Sequence, residues 1–325
     1  MVPIFIYINT KVFYIQLITL LSNKNKLNKK LNNLFLLHLR FYSVNNKSDN
    51  LSYYLAGLIE GDGHFNTPNI LNSSKVHRRM GGIEVVFALK DKPSAELFKN
   101  KFGGNVYLDS KKRIVRWMIQ DIKSVVKVIN LINGKLRTPK INGLYKMIDF
   151  LKTKGIEIEK LSLDTSPLKN NAWLAGFIDA DGHFAIKGFT SNIRTYLAIQ
   201  FYLPQRKTDI SGETLENIMQ KIADFLFTKL NSRIVDKKYN QFVINTSNNK
   251  SNQVLIDYLN TFPLLSSKYL DFKDWETASN IYTQKLHRDP IQYEKIRLLK
   301  SNMNKNRIIF SWFHHNQNIY GLHSI

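Results

Sequence analysis

The chain has 325 residues, 43% of them hydrophobic and 22% charged, which suits one large core or two of ordinary size and excludes a disordered chain. Its 47 Lys and Arg against 25 Asp and Glu leave a formal charge of +22, an excess that favours a polyanionic partner, nucleic acid first and an anionic membrane surface second. The absence of cysteine excludes disulfide scaffolds, thiol nucleophiles and cysteine-ligated zinc.

Residues 1–48 carry seven Lys and Arg and no acid before Asp49. The apolar run Val12–Leu21 is too short and interrupted for a membrane span, which needs ~20 apolar residues. Such a basic leader reads either as a mitochondrial transit peptide or as a linker continuing from an upstream exon, and in both cases it stands outside the fold. The abundance of Asn, Lys, Ile and Tyr fits an AT-rich gene of the organellar kind.

From Leu51 the chain repeats itself. Residues 55–65 (LAGLIEGDGHF) return at 174–184 (LAGFIDADGHF), identical at eight of eleven positions and offset by 119. That period is longer than any solenoid unit, so the copies are domain-sized. In each copy the motif leads into a helix end, and alternating strand patterns follow at Ile83–Leu89 and Tyr196–Leu203. A helical stretch comes next (Ser94–Phe102; Glu213–Phe227). Two further strands are predicted at Asn105–Leu108 with Ile114–Gln120, and at Ser232–Val235 with Gln241–Asn245. Helical pattern closes each copy, at Ile122–Ile132 with Leu144–Leu151, and at Asn252–Leu259 with Lys268–Tyr282. The reading is α+β, αββαββα twice: repeats at 49–152 and 170–287, a linker at 153–169 broken by Gly155, Ser166 and Pro167, and a basic extension at 288–325.

The motif itself has physical content. Gly57 and Gly61 stand four apart on one helix face, as do Gly176 and Ala180, and small residues at that spacing let two helix backbones approach closely. The two motif helices are therefore expected to pack on each other about a pseudo-twofold axis, with Gly63 in a C-cap role. Asp62 and Asp181 then fall at helix C-termini, where the helix dipole disfavours a carboxylate by ~0.3–1 kcal/mol. Side by side they also repel each other. A divalent cation offsets both terms, and hard oxygen ligands suit magnesium. A single Asp-Gly is usually a plain turn; two, each behind a small-residue helix, are not explained that way. Glu60 and Asp179, two residues back, are expected to project elsewhere as capping or surface-pairing acids. His64 and His183, each beside the turn into a strand, are read as structural.

Leu55–Gly63 and Leu174–Gly182 resemble the two signature motifs of the LAGLIDADG homing endonucleases, in the single-chain, two-repeat form typical of fungal mitochondrial introns. The resemblance covers roughly residues 50–287. It implies two pseudosymmetric αββαββα repeats packed through the motif helices, with antiparallel sheets forming a DNA-binding saddle. It implies a mitochondrial, monomeric enzyme that makes a metal-dependent double-strand break at a long asymmetric DNA site and so promotes intron mobility. Magnesium is the implied cofactor, with manganese as a substitute, held by Asp62 and Asp181 and by the carbonyls of Gly61 and Ala180. By the same resemblance Asp91 and Gln205, past the second strand of each copy, assist the attacking water. Lys140 and Lys268, in Thr-Pro-Lys and Ser-Ser-Lys contexts, offset charge on the phosphates. Lys75, Arg78, Arg79, Arg113 and Arg116 in the first copy, and Lys187, Arg194, Arg233, Lys237 and Lys238 in the second, are the candidates for DNA contact, each more often to phosphate than to a base edge.

The strongest rival is an RNA maturase that assists splicing of its own group I intron, with or without residual cutting; the same charge and fold serve it. A DNA-binding regulator would not need both acids. An intein is disfavoured because His315-Asn316 is followed by Gln317 and the chain has no cysteine.

Overall fold

The computed structural model describes residues 49–68, 81–188, 197–235, 239–317 and 319–322, and the described residues form one compact unit. The expected leader lies outside them. Helix α1 (residues 49–62) runs into β1 (Gly63–Asn66) and β2 (Gly82–Ala88). Helix α2 (Lys92–Phe102), the hairpin of β3 (Asn105–Asp109) and β4 (Ile114–Ile119), and helices α3 (Ile122–Ile132) and α4 (Ile141–Lys152) complete the first copy. The second copy runs α5 (Trp173–Asp181), β5 (His183–Gly188), β6 (Leu197–Arg206), α6 (Glu216–Phe225), β7 (Leu230–Val235), β8 (Tyr239–Thr246), α7 (Asn249–Thr261) and α8 (Lys268–Thr283). Both sheets are four-stranded and antiparallel, in the orders β1-β2-β4-β3 and β5-β6-β8-β7. The αββαββα reading therefore holds for both copies, and most of its boundaries fall within about three residues.

Strand alternation decides which face of each sheet is buried. In β4, Val115, Trp117 and Ile119 point inward while Ile114, Arg116 and Met118 line the other face. The inward face of the first sheet packs on α2, where Phe98 stacks on Trp117 with ring centroids 5.5 Å apart. In the second sheet Phe184 and Phe201 pack together, and Phe184 also meets Phe272 and Trp275 of α8.

The two copies meet through α1 and α5, which are apolar nearly all round and almost wholly buried, as a helix between two layers must be. A Cβ on Gly57 would overlap the carbonyl oxygen of Trp173, and one on Gly176 would overlap that of Tyr54. This reciprocity is the expected pseudo-twofold contact. Gly63 follows α1 directly, in the C-cap position expected of it, and its counterpart Gly182 caps α5 by donating its N–H to Ile178 O at 2.7 Å, but without the left-handed conformation usual there. Neither Gly63 nor Gly182 is left-handed, Gly182 having φ −69° and ψ 151°. Glycine is needed there for space: a Cβ would stand 2.6 Å from Ile59 O in one copy and 2.7 Å from Ile178 O in the other.

The linker after α4 is irregular but pinned. Asp164 pairs with Arg137 at 2.5 Å, and Asn133 Nδ2 donates to Glu159 O at 2.6 Å. The C-terminal extension is part of the fold. Its helix α9 (Pro290–Ser301) buries Ile296, and Arg307 bonds Asp271 and Asp274 of α8 at 2.9 and 2.6 Å. Further on, Tyr320 packs against Tyr54 and donates to Pro263 O at 2.8 Å.

Candidate active site

Asp62 and Asp181 are the last residues of α1 and α5, so the paired helices bring both carboxylates to one end of the contact between the repeats. Asp181 Oδ2 lies 2.9 Å from where a Cβ on Gly61 would stand, so the second carboxylate overhangs the end of the first helix. Gln205, at the end of β6, donates from Nε2 to Asp181 Oδ2 at 2.6 Å. Asp62 reaches solvent, yet the protein packed around its carboxyl strips away much of its hydration. That desolvation, together with the neighbouring Asp181 charge, pushes its carboxyl up to about 7.

Each carboxylate has a lysine behind it. Lys140 Nζ donates to the carbonyls of Ile59, Gly61 and Gly63 at 3.0, 3.2 and 2.8 Å. Lys268 Nζ donates to those of Ile178, Asp179 and Ala180 at 3.3, 2.7 and 2.6 Å. Both ammonium groups thus cap the negative end of a motif helix, where orphan carbonyls and the dipole favour a cation. Burial holds the Lys140 ammonium below its usual range.

The loops carrying these lysines are held by Glu60 and Asp179, which are buried rather than surface acids, 5% exposed each. Glu60 accepts from the backbone N–H of Arg137 and Thr138 at 2.9 and 2.6 Å, two residues before Lys140. Asp179 accepts from those of Leu265 and Ser266 at 2.8 Å each, two residues before Lys268. A further donor crosses to each acid from the opposite repeat. Trp173 Nε1 of α5 bonds Glu60 at 2.5 Å, and the Tyr54 hydroxyl of α1 bonds Asp179. Burial still pushes Glu60 up to about 7 against these donors.

Asp91, paired with Gln205 in the sequence comparison, lies elsewhere. It is buried and accepts from Ser267 N at 2.7 Å, so it braces the Lys268 loop of the other repeat. The cause is strand length: β2 ends at Ala88, whereas β6 continues to Arg206 and carries Gln205 to the cleft.

A cleft of about 940 Å³ opens beside the carboxylates, lined by His64, Asn66, Lys140 and Lys146 from the first repeat and by Asp181, Gln205 and Arg206 from the second. Arg116 lies on the exposed face of the first sheet but is ion-paired with Glu84, and Arg113 is exposed in the β3–β4 turn with φ 55°. On the second sheet Lys187 covers the ring of Tyr202 at 4.5 Å, and Arg233 Nε donates to Gln241 at 3.2 Å. Lys75, Arg78, Arg79, Arg194, Lys237 and Lys238 lie outside the described residues. The same faces also present Tyr107 opposite Arg116, and Gln200, Tyr202 and Asn245 on β6 and β8. None of these is basic, and the signal that marks them in the sequence is the two-residue period of the strands.

Among the described residues no cluster of three or more His, Asp or Glu side chains is arranged for a metal ion. Two carboxylates at adjoining helix ends, with carbonyl oxygens beside them, nonetheless fit a hard cation that keeps waters and takes further oxygens from a phosphate substrate. The carbonyls of Gly61 and Ala180 accept from the lysines here, and each retains a second lone pair.

Fold and site together define a pseudosymmetric two-repeat protein whose paired acids lie between two antiparallel sheets. The model of the family described as LAGLIDADG endonuclease matches residues 55–151 and 174–279. The chain belongs to that family. It is 31% identical over 329 residues to the intron-encoded DNA endonuclease aI3 of Saccharomyces cerevisiae, covering 90% of this chain and 79% of that protein. It is also 31% identical over 170 residues to the intron-encoded RNA maturase bI4 of the same yeast, covering 50% of this chain and 24% of that one. The fold matches that of the I-LtrWI LAGLIDADG homing endonuclease bound to target DNA, with TM-score 0.59 over 79% of this chain and 99% of that one, at 19% identity.

Proposed function

We propose that the chain is a monomeric, mitochondrial homing endonuclease that breaks both strands of DNA at one long asymmetric site and so spreads its intron. The observation that carries this reading is the meeting of Asp62 and Asp181 at the ends of packed helices, a costly arrangement with no structural purpose of its own. In each strand, water adds across a P–O3′ bond and leaves a 5′-phosphate and a 3′-hydroxyl. A divalent cation bound there, magnesium or manganese in its place, supplies Lewis acidity to the phosphate and lowers the pKa of a water. Asp62, Asp181 and the carbonyls of Gly61 and Ala180 would hold it. Gln205 fixes the Asp181 carboxylate through its amide. Lys140 and Lys268 hold the helix ends in place and keep positive charge beside the phosphates, where it favours the transition state. Around the site, the sheet faces bearing Arg116, Lys187 and Arg233 supply backbone contacts and base readout, with Arg113 beside them in its turn.

The test is cleavage of a duplex containing the intronless insertion site, with and without magnesium. Asp62→Asn and Asp181→Asn should each lower cutting by ~10³-fold or more, while binding survives because phosphate contacts dominate affinity. Full double-strand cutting by the doubly substituted protein would overturn the assignment.

A second reading, RNA maturase for its group I intron, is favoured by the likeness to the bI4 maturase over half of this chain. Splicing of the intron transcript in vitro, with and without protein, separates the two activities.

A further inference from the structure

The segment that follows each repeat returns to the loop of that repeat's own site lysine. In the first repeat the linker after α4 comes back to the loop leading to Lys140. Asp164 N donates to Leu136 O at 2.8 Å, and Arg137 Nη1 donates to Ser166 O at 2.7 Å. In the second repeat the C-terminal extension comes back to the loop leading to Lys268. Tyr320 donates to Pro263 O at the start of that loop, and His315 Nε2 lies 2.7 Å from Leu265 O. Past Lys268, Asn304 N donates to Asp271 at 3.0 Å beside the Arg307 pairs, and the ring of His314 stacks on Tyr269 at 4.3 Å. The extension thus grips the chain on both sides of Lys268. It lies beyond residue 279, where the family match ends, so the repeats themselves do not supply these contacts.

His315 makes the contact that bears most directly on the site. A carbonyl oxygen can only accept, so Nε2 carries the proton and donates. The N–H of Leu265 goes to Asp179 at 2.8 Å, while its carbonyl takes His315, with Ser94 Oγ at 3.0 Å and His314 Nε2 at 3.3 Å beside it. Both polar groups of Leu265 are therefore held, three residues before Lys268. From there the lysine reaches the carbonyls of Ile178, Asp179 and Ala180, at the end of the helix that carries Asp181. His315 is buried, and without it the Leu265 carbonyl keeps only the two longer bonds.

A charge meant for a phosphate must be held closely in place, since a misplacement of ~1 Å can cost ~10²-fold in rate. We propose that the C-terminal extension is a working part of the cleavage site and that His315 is the positioning residue that sets Lys268 through the Leu265 carbonyl. The inference rests on the endonuclease reading.

The experiment uses the full chain, in excess over a plasmid carrying a sequence recovered as cleaved from a randomised duplex library, with magnesium. Two quantities are read: the fraction of DNA bound and the rate at which bound DNA is cut. His315→Met, which keeps a side chain of similar reach and loses the donor, should cut bound DNA ~10–100-fold more slowly, with affinity within ~3-fold of the wild type. His315→Gln, whose amide nitrogen stands about as far from Cα as Nε2 does, should cut within ~3-fold of the wild-type rate. His315→Asn, whose shorter amide does not reach Leu265 O, should be as slow as the Met variant, and it serves in its place should that variant fail to fold. Wild-type rates in the Met and Asn variants, or a Gln variant as slow as they are, overturn the proposal and leave the endonuclease reading standing. A lower bound fraction with an unchanged rate on bound DNA marks a merely structural role and overturns it equally. If the wild type cleaves no sequence at all, the endonuclease reading falls and the role of His315 falls with it.

Discussion

Asp62 illustrates how a site residue works against the fold that carries it. Its carboxyl titrates at about 7 instead of its ordinary 3.8, through lost hydration and the Asp181 charge. For a pKa raised by folding, the linked stability is fully present below the unfolded value and is lost as pH rises through the folded value. The metal-free protein should therefore lose stability between about pH 4 and pH 7 on account of this group. Asp62→Asn should melt higher than the wild type at pH 8, with the gap closing as pH falls towards 4. Thermal melts in chelator across that range check it, and a gap that does not change with pH would count against it. Glu60, also raised to about 7, contributes with the same sign in both proteins and so cancels from the comparison.

Among the elements, the pairing of α1 with α5 is the least tolerant of change. A Cβ at Gly57 meets backbone and not the end of a flexible side chain, so Gly57→Ala must part the helices. It should cost at least the ~1–3 kcal/mol of ordinary overpacking, and it should depress cleavage as well, because the helix ends carry both acids. Denaturant unfolding and a cleavage assay measure the two effects. This contact was legible in the sequence, since the glycine spacing recurs intact in both copies. So were the strands and helices, because each sheet buries one face and each outer helix one stripe. The roles of Glu60 and Asp179 were not legible. Their donors lie 77 or more residues away in sequence, some of them across in the other repeat, beyond the reach of a local pattern. Asp91 was misplaced because the endpoints of β2 and β6 differ, and strand length is set by pairing partners that a local pattern does not contain. The integration of the C-terminal extension rests on contacts such as that of Tyr320 with Tyr54, which no periodicity announces.

At the scale of the whole molecule, symmetry ends at the sheet faces. The first presents His64, Glu84, Arg116 and Tyr107, and the second presents His183, Lys187, Tyr202 and Asn245. Unlike donors and acceptors prefer unlike bases, by ~1–3 kcal/mol for each well-matched contact. The target should therefore be asymmetric. Two perfect palindromes, one from each half-site, should both be cut less well than the natural sequence; equal cutting of all three would show that the sheets read alike. The donors that Tyr54 and Trp173 send across to Asp179 and Glu60 limit how such a chain can change. Each repeat supplies the peg that fits the other's socket, and each socket holds the loop of a site lysine. A half transplanted from a relative arrives with its own peg and its own socket, and both must suit the resident half before either lysine is in place. The linker therefore joins two halves that are inherited as a matched set, and recombination within it trades one coupled pair of acids and aromatics for another.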